Sequence, residues 1–221
     1  MSNTGIIDWT EVPPLPGRVL SKPELRRSKP DRASFLAQPR NPITVVLDGV
    51  RGSYNLGALF RLCDAFLVER LVICGRRSPG GVMQRATPLL RKRRLVQAAM
   101  GAQRWVPWQE EPDAVAVVRA AKAAGHWIAA VELTADSVSP AAMQPRLPAV
   151  LVLGDERCGI SPEVLAYADQ AVAIPMLGMS NSLNVATAAA IVLHELALRA
   201  VPAARIRMPA RLPRHMSAQT D

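Results

Sequence analysis

Thr44-Val45-Val46-Leu47-Asp48-Gly49, followed after a short loop by Asn55-Leu56-Gly57-Ala58-Leu59-Phe60-Arg61, decides the fold. The first piece is a β-branched apolar run stopped by Asp and Gly, the composition of a strand buried on both faces in a parallel sheet. In the second, Leu56, Leu59, Phe60 and Leu62 recur at helical spacing, predicting a helix over Asn55 to Phe66. Arg70 to Cys74 then reads as a second strand ending at Gly75. A strand, a helix and a second strand in this order make a βαβ start.

The alternation continues outward. Val96 to Gly101 reads as a helix, Pro112 to Ala124 as an amphipathic helix stopped by Gly125, and His126 to Val131 as a strand. Ala149 to Leu153 is a further apolar strand, Pro162 to Ala168 a short helix, Ala171 to Ile174 a strand, and Leu183 to Ala200 a long Ala-rich helix. Strands alternating with helices predict an α/β fold, a mostly parallel sheet with helices on both faces. The flanks differ in composition. Residues 1–40 form a basic, Pro-rich N-terminal arm, 41–200 the folded domain, and 201–221 a basic tail carrying Arg205, Arg207, Arg211 and Arg214.

The chain has 221 residues, 49% of them hydrophobic, enough to bury a substantial core without staples. Three cysteines, Cys63, Cys74 and Cys158, form an odd set without tight spacing, which argues against a disulfide framework or a zinc ribbon and for a reducing cytoplasm. His126, His194 and His215 lack metal-ligand spacing, so no metal is expected. The start MSNTGIIDWT lacks the basic and apolar regions of a secretory signal. The apolar segment Leu183 to Leu198 is interrupted by Asn184, His194 and Glu195, so a buried helix is expected rather than a membrane span. Against 18 Asp+Glu stand 27 Lys+Arg, a net charge of +9 carried mostly by arginine. Such a balance suits a polyanion, and the cluster Arg91, Lys92, Arg93, Arg94 is the best local candidate for phosphate contact.

Three segments place polar residues where a plain α/β core does not need them, each at a strand-to-helix junction. In NLGALFR, Asn55 could cap a helix and Gly57 permit close backbone approach, but Arg61 sits in an otherwise apolar helix and, if it faces inward, calls for an anionic partner. In LGDERCGIS, Gly154 ends a buried strand and Asp155, Glu156 and Arg157 follow at the carboxyl edge, where open α/β sheets bind ligands. In IPMLGMSNSLNVATAAA, Ser180, Asn181 or Ser182 could be an N-cap, while Asn184 in the first turn must find partners or point into a site. Neither a GxGxxG nor a P-loop pattern is present, which disfavours dehydrogenase and NTPase readings.

Taken jointly and in this order, the three segments resemble motifs 1, 2 and 3 of the SpoU/TrmH family of RNA 2'-O-ribose methyltransferases, a likeness covering about residues 43–200. The resemblance implies a deep C-terminal trefoil knot of the SPOUT type, a rare exception to unknotted topology. It implies S-adenosylmethionine as cofactor, held mainly by backbone groups at Gly154, Ile174 and Leu183, with Leu153, Met176 and Gly178 lining the pocket. Arg61 matches the residue held to activate the ribose hydroxyl. Because a guanidinium stays protonated, orienting the nucleophile and neutralising phosphate is its expected role. Asn55 and Glu156 are implied to organise the catalytic loops and the arginine, and Ser182 and Asn184 to serve the cofactor and target pocket. Family members are homodimers with a shared active site, and their substrate is RNA, either tRNA or rRNA. The chain departs from the family at Leu67, where a glycine usually precedes the next strand. The alternative is a catalytically inactive knotted protein that binds RNA or assists assembly, a reading that the complete motifs oppose.

Overall fold

The computed structural model describes residues 22–23, 31–77, 83–84 and 93–202. Most of the arm, the tail, and Arg91 and Lys92 of the basic cluster lie outside the described residues. A short helix, α1 (Arg32–Ala37), belongs to the N-terminal unit and is capped by Asp31, whose Oδ1 accepts from Ser34 N at 3.0 Å.

The unit Pro39–Arg207 is built on one all-parallel sheet. Its strands are β1 (Asn41–Asp48), β2 (Val68–Cys74), β5 (Trp108–Glu111), β6 (Trp127–Val131), β7 (Ala149–Gly154) and β8 (Gln170–Val172). They lie in the order β5-β2-β1-β7-β6-β8, and a two-residue hairpin of β3 (Arg76–Arg77) and β4 (Met83–Gln84) stands apart. From β1 the chain steps outward to β2 and β5, then returns to build the other half on the far side of β1. The strand order thus reverses between β1 and β7, where Asp48 pairs with Gly154 at the carboxyl ends. Such a switch point opens a crevice between diverging loops.

Among the described residues five α-helices accompany the sheet: α2 (Ser53–Ala65), α3 (Arg93–Ala99), α4 (Ala114–Ala123), α5 (Pro162–Leu165) and α6 (Val185–Ala200). Alternate side chains of a strand point to opposite faces, and β1 shows this directly. Val45 and Leu47 pack in one core with Leu56, Leu59 and Phe60 of α2 and Leu193 and Leu196 of α6. Val46 lies in a second core with Val118 of α4 and Val164 of α5. Each such side chain contributes about 1.5–3 kcal/mol on burial, so both faces have to be covered, as the continuous apolar runs predict. At Gly57 a Cβ would stand 2.4 Å from the Ala98 Cβ and 2.8 Å from the Leu95 carbonyl, so glycine is what lets α2 and α3 close on each other.

Several expectations need correction. The strand expected over Ala171 to Ile174 is Gln170–Val172, and the helix expected from Leu183 begins at Val185. The helix expected over Val96 to Gly101 is Arg93–Ala99, which places Arg93 and Arg94 inside it rather than before it. Strand β5 is not foreseen, because WQEE lacks apolar alternation and only its pairing to β2, Leu71 to Trp108 and Ile73 to Glu110, makes it a strand. Leu67 takes a left-handed conformation, φ +48°, the conformation glycine adopts without strain.

Candidate active site

A cavity of about 1200 Å³ opens at the carboxyl ends of β6, β7 and β8. Leu153, Gly154, Ile174, Met176, Gly178 and Leu183, the six residues assigned to the cofactor, all line it. Glu156, Ser182 and Asn184 line it as well, whereas Asn55 and Arg61 do not.

The loop after β7 is held tightly. Asp155 N donates to the Gly159 carbonyl at 3.2 Å and Gly159 N to the Asp155 carbonyl at 2.8 Å, closing a narrow turn with Gly159 at φ +66°. Asp155 Oδ1 accepts from Arg157 N at 3.0 Å and Cys158 N at 3.1 Å, an Asx-type turn. A Cβ on Gly154 would stand 2.2 Å from the Gly159 carbonyl carbon, so this glycine serves a close backbone approach. The far side of the loop is tied to β1, whose Asp48 Oδ2 accepts from both Ser161 N and Ser161 Oγ at 2.8 Å.

A directional chain of side-chain amides joins the three segments. Asn184 Oδ1 accepts from Ala186 N at 3.0 Å and Thr187 N at 3.4 Å, so Asn184 is the N-cap of α6 rather than a residue of its first turn. Capping fixes the amide orientation and aims Nδ2 outward, where it donates to Asn55 Oδ1 at 2.9 Å. Asn55 therefore presents its own Nδ2 to Glu156 Oε1, to which it donates. Asn55 lies in the first turn of α2 and does not cap it, since the N-cap position is Gly52. Glu156 pairs with this amide instead of an arginine. Residues 101 and 129 positions apart from Asn55 thereby meet at one edge of the sheet.

Arg61 is exposed, so the condition under which it would call for a buried anionic partner does not arise, and it makes no hydrogen bond or ion pair with any described residue. Six residues along a helix amount to a turn of about 120° away from Asn55, so the two side chains leave α2 on different sides. Arg93 and Arg94 are both exposed in the first turn of α3. Cations there oppose the helix dipole, so local helix stability does not explain them.

Sequence reasoning misses Glu132, which lines the cavity at the end of β6 and whose Oε2 accepts from Ile160 N at 2.9 Å. A charged residue directly after an all-apolar strand at the carboxyl edge is the signal that points to it. Of the thiols, Cys63 and Cys74 are buried and Cys158 is exposed in the loop. Burial pushes the Cys63 thiol up to about 12, and burial with the nearby Asp48, Glu111 and Asp113 charges does the same to Cys74. Among the described residues no group of His, Cys, Asp or Glu could hold a metal ion, and no helix is long and apolar enough to cross a membrane.

An open parallel sheet with a nucleoside-sized crevice at the carboxyl ends of β6, β7 and β8 has the edge at which α/β proteins of this kind bind ligands. The chain belongs to the SpoU rRNA Methylase family, whose family model matches residues 42–194. It is 34% identical over 171 residues to the tRNA (guanosine(18)-2'-O)-methyltransferase of Thermus thermophilus, covering 77% of this chain and 76% of that protein. Among solved structures it resembles the A. aeolicus TrmH/SpoU tRNA modifying enzyme, with a TM-score of 0.63 and 29% identity over 80% of this chain and 82% of that one. It also resembles the AdoMet-bound rRNA methyltransferase from Sinorhizobium meliloti, with a TM-score of 0.60 and 28% identity over 74% of this chain and 59% of that one.

Proposed function

We propose that the protein transfers a methyl group from S-adenosylmethionine to a ribose 2'-hydroxyl of RNA, with tRNA as the favoured substrate. The observation that carries this reading is the amide chain Glu156–Asn55–Asn184, which ties all three motif segments together beside the crevice. The residues fit the donor. The cavity of about 1200 Å³ is large enough for a nucleoside with an amino-acid tail, and it combines the apolar Leu153, Ile174, Met176 and Leu183 with strand-end backbone. When bound, the donor supplies an electrophilic methyl on a sulfonium, so no metal is required.

The chain's own groups have three tasks. Gly154, Ile174 and Leu183 hold the donor through their backbone, and the cap at Asn184 fixes where the loop before α6 passes. Asn55 and Glu156 set the position of the loop after β7. Arg61 receives the RNA: a permanently charged guanidinium neutralises a phosphate and orients the 2'-hydroxyl, whose proton passes to that phosphate or to water as its oxygen takes the methyl and the sulfur–methyl bond breaks to leave a neutral thioether. Its exposure and its distance around α2 from Asn55 support a homodimer in which Arg61 completes the crevice of a second copy. Ser182, on the cavity wall, serves the target pocket. The Arg91–Arg94 cluster, with the basic arm over 1–40 and the tail over 201–221, gathers RNA phosphates. The segment around the crevice carries the trefoil knot, and the protein works in the cytoplasm.

The relatives' names favour tRNA. The T. thermophilus protein is named for guanosine 18 of tRNA and the A. aeolicus structure for tRNA modification. Tritiated methyl transfer to purified tRNA and rRNA, followed by mapping of ribose methylation, tests the proposal. Incorporation into tRNA that disappears in Arg61→Ala while donor binding persists is the expected result, and full activity of Arg61→Ala overturns the assigned role.

A further inference from the structure

The crevice is acidic on a basic protein. Its charged lining residues are Glu132, Asp155, Glu156 and Arg157, three carboxylates to one guanidinium, whereas the chain carries +9 overall. Of these carboxylates Glu132 directly follows a strand flanked on both sides. It follows Val131, the last residue of β6, which pairs with Leu153 of β7 on one side and Val172 of β8 on the other. Glu132 therefore emerges between the two strand ends that lead into Gly154 and Ile174. Its carboxylate is fixed at both oxygens, Oε2 accepting from Ile160 N at 2.9 Å and Oε1 from Leu133 N at 3.1 Å. Its backbone N donates to the Val172 carbonyl at 3.1 Å, so the residue cannot swing away with a loose loop. The opposite wall comes equally close: a Cβ on Gly159 would stand 2.3 Å from Glu132 Oε2.

We propose that Glu132 makes the crevice select the cationic sulfonium donor over its uncharged thioether product, which favours donor over product when the two compete for the crevice. The inference rests on the donor reading given above. Donor and product share adenine, ribose and the amino-acid tail, so every contact to those parts is common to both. They differ at the sulfur, by one methyl and one positive charge, and only a preorganised charge or a contact to that methyl can tell them apart. A carboxylate held by two backbone N–H groups on the crevice wall, at the end of the strand between β7 and β8, meets that requirement. Across a solvent-filled crevice one such charge is worth about fivefold in relative affinity, and salt weakens it.

Calorimetric titration of the full chain with S-adenosylmethionine and S-adenosylhomocysteine, at low and physiological salt, tests this. Wild type should prefer the donor, and Glu132→Gln should lose about fivefold of that preference, mainly through weaker donor binding, with the loss smaller in salt. Product affinity reports whether the loop has kept its shape, because it needs the same walls without the charge. If wild type binds neither ligand, the donor reading itself fails. Should Glu132→Gln weaken both ligands equally, the donor reading stands and the charge inference is overturned. Should Glu132→Gln bind neither, Glu132→Asp decides: it keeps the charge, so a retained preference supports the inference. A lost preference, or no binding, reduces Glu132 to a loop clamp and overturns it.

Discussion

Replacing Asn184 with alanine removes two interactions at once, and the structure says how they divide. The cap on Ala186 N and Thr187 N is worth about 1 kcal/mol, within a range of roughly 0.5–2. The hydrogen bond to Asn55 Oδ1 is accessible to solvent and adds about 0.5–1 kcal/mol. Asn184→Ala should therefore cost about 1.5–2 kcal/mol and lower the melting temperature by about 3–8 °C for a domain of this size. Asn184→Asp keeps an oxygen on the cap and adds a favourable negative charge at the helix start, worth about 0.3–1 kcal/mol. It also turns an acceptor toward Asn55 Oδ1, so its stability should stay near wild type while the amide chain is broken. Urea melts of Asn55→Ala, Asn184→Ala and the double variant close a thermodynamic cycle. A coupling of about 0.5–1 kcal/mol between the two sites is expected, with the cap contribution surviving in the Asn55→Ala background. Additivity within about 0.3 kcal/mol would show that the amide chain carries no energy, and the link between the three segments would lose its physical basis.

Gly57→Ala drives a Cβ into the Ala98 side chain and the Leu95 carbonyl. Overpacking of about 1–3 kcal/mol outweighs the gain of about 0.5–1 kcal/mol from removing a helical glycine, so thermal melts should show a net loss. The thiols should separate cleanly: at pH 8 a thiol titrating at about 12 is a thiolate only ~10⁻⁴ of the time, so Cys63 and Cys74 should resist alkylation until the chain unfolds. Cys158 should react in the native protein, and mass spectrometry of the labelled peptides reads both results. Burial raises the Asp169 pKa, but hydrogen bonds from Lys122 at 2.6 Å and Ile128 N at 2.8 Å outweigh it and hold the group below the ordinary carboxylate value. A depressed folded-state pKa contributes stability above the unfolded value and loses it as pH falls through the folded one. Asp169→Asn should therefore destabilise at pH 6, with the difference from wild type shrinking in denaturant melts as pH falls below the ordinary carboxylate value.

The sheet is readable from the sequence wherever a strand is buried on both faces. Val45, Val46 and Leu47, or Val150, Leu151 and Val152, fill two cores at once and so appear as unbroken apolar runs. Strand β5 escapes because an edge strand with Glu110 and Glu111 needs only a neighbour's backbone, and hydropathy does not record pairing. The six residues expected to hold the cofactor all line the cavity, because the three motif segments meet around it. The orientation of Arg61 is not recoverable, since an arginine in an apolar helix reads alike whether it faces a site or solvent. Glu132 is missed for another reason: its role comes from lying between β7 and β8, neighbours distant in sequence. The Asn184 cap is a matter of one residue, and the Ser/Asn-rich text before α6 offers four candidates for it.

The two borders of the sheet bear on how the protein behaves when crowded. A parallel sheet with long free borders invites further chains to add to its ladder. Here one border is β5, four residues long and bearing two glutamates. The other is β8, three residues long, and its outer side is already taken by Val138, whose N donates to the Ala171 carbonyl at 2.9 Å and whose carbonyl accepts from Ala173 N at 2.9 Å. Neither border offers a template for strand recruitment, so self-association through the sheet is disfavoured and contact between copies is left to helices and loops.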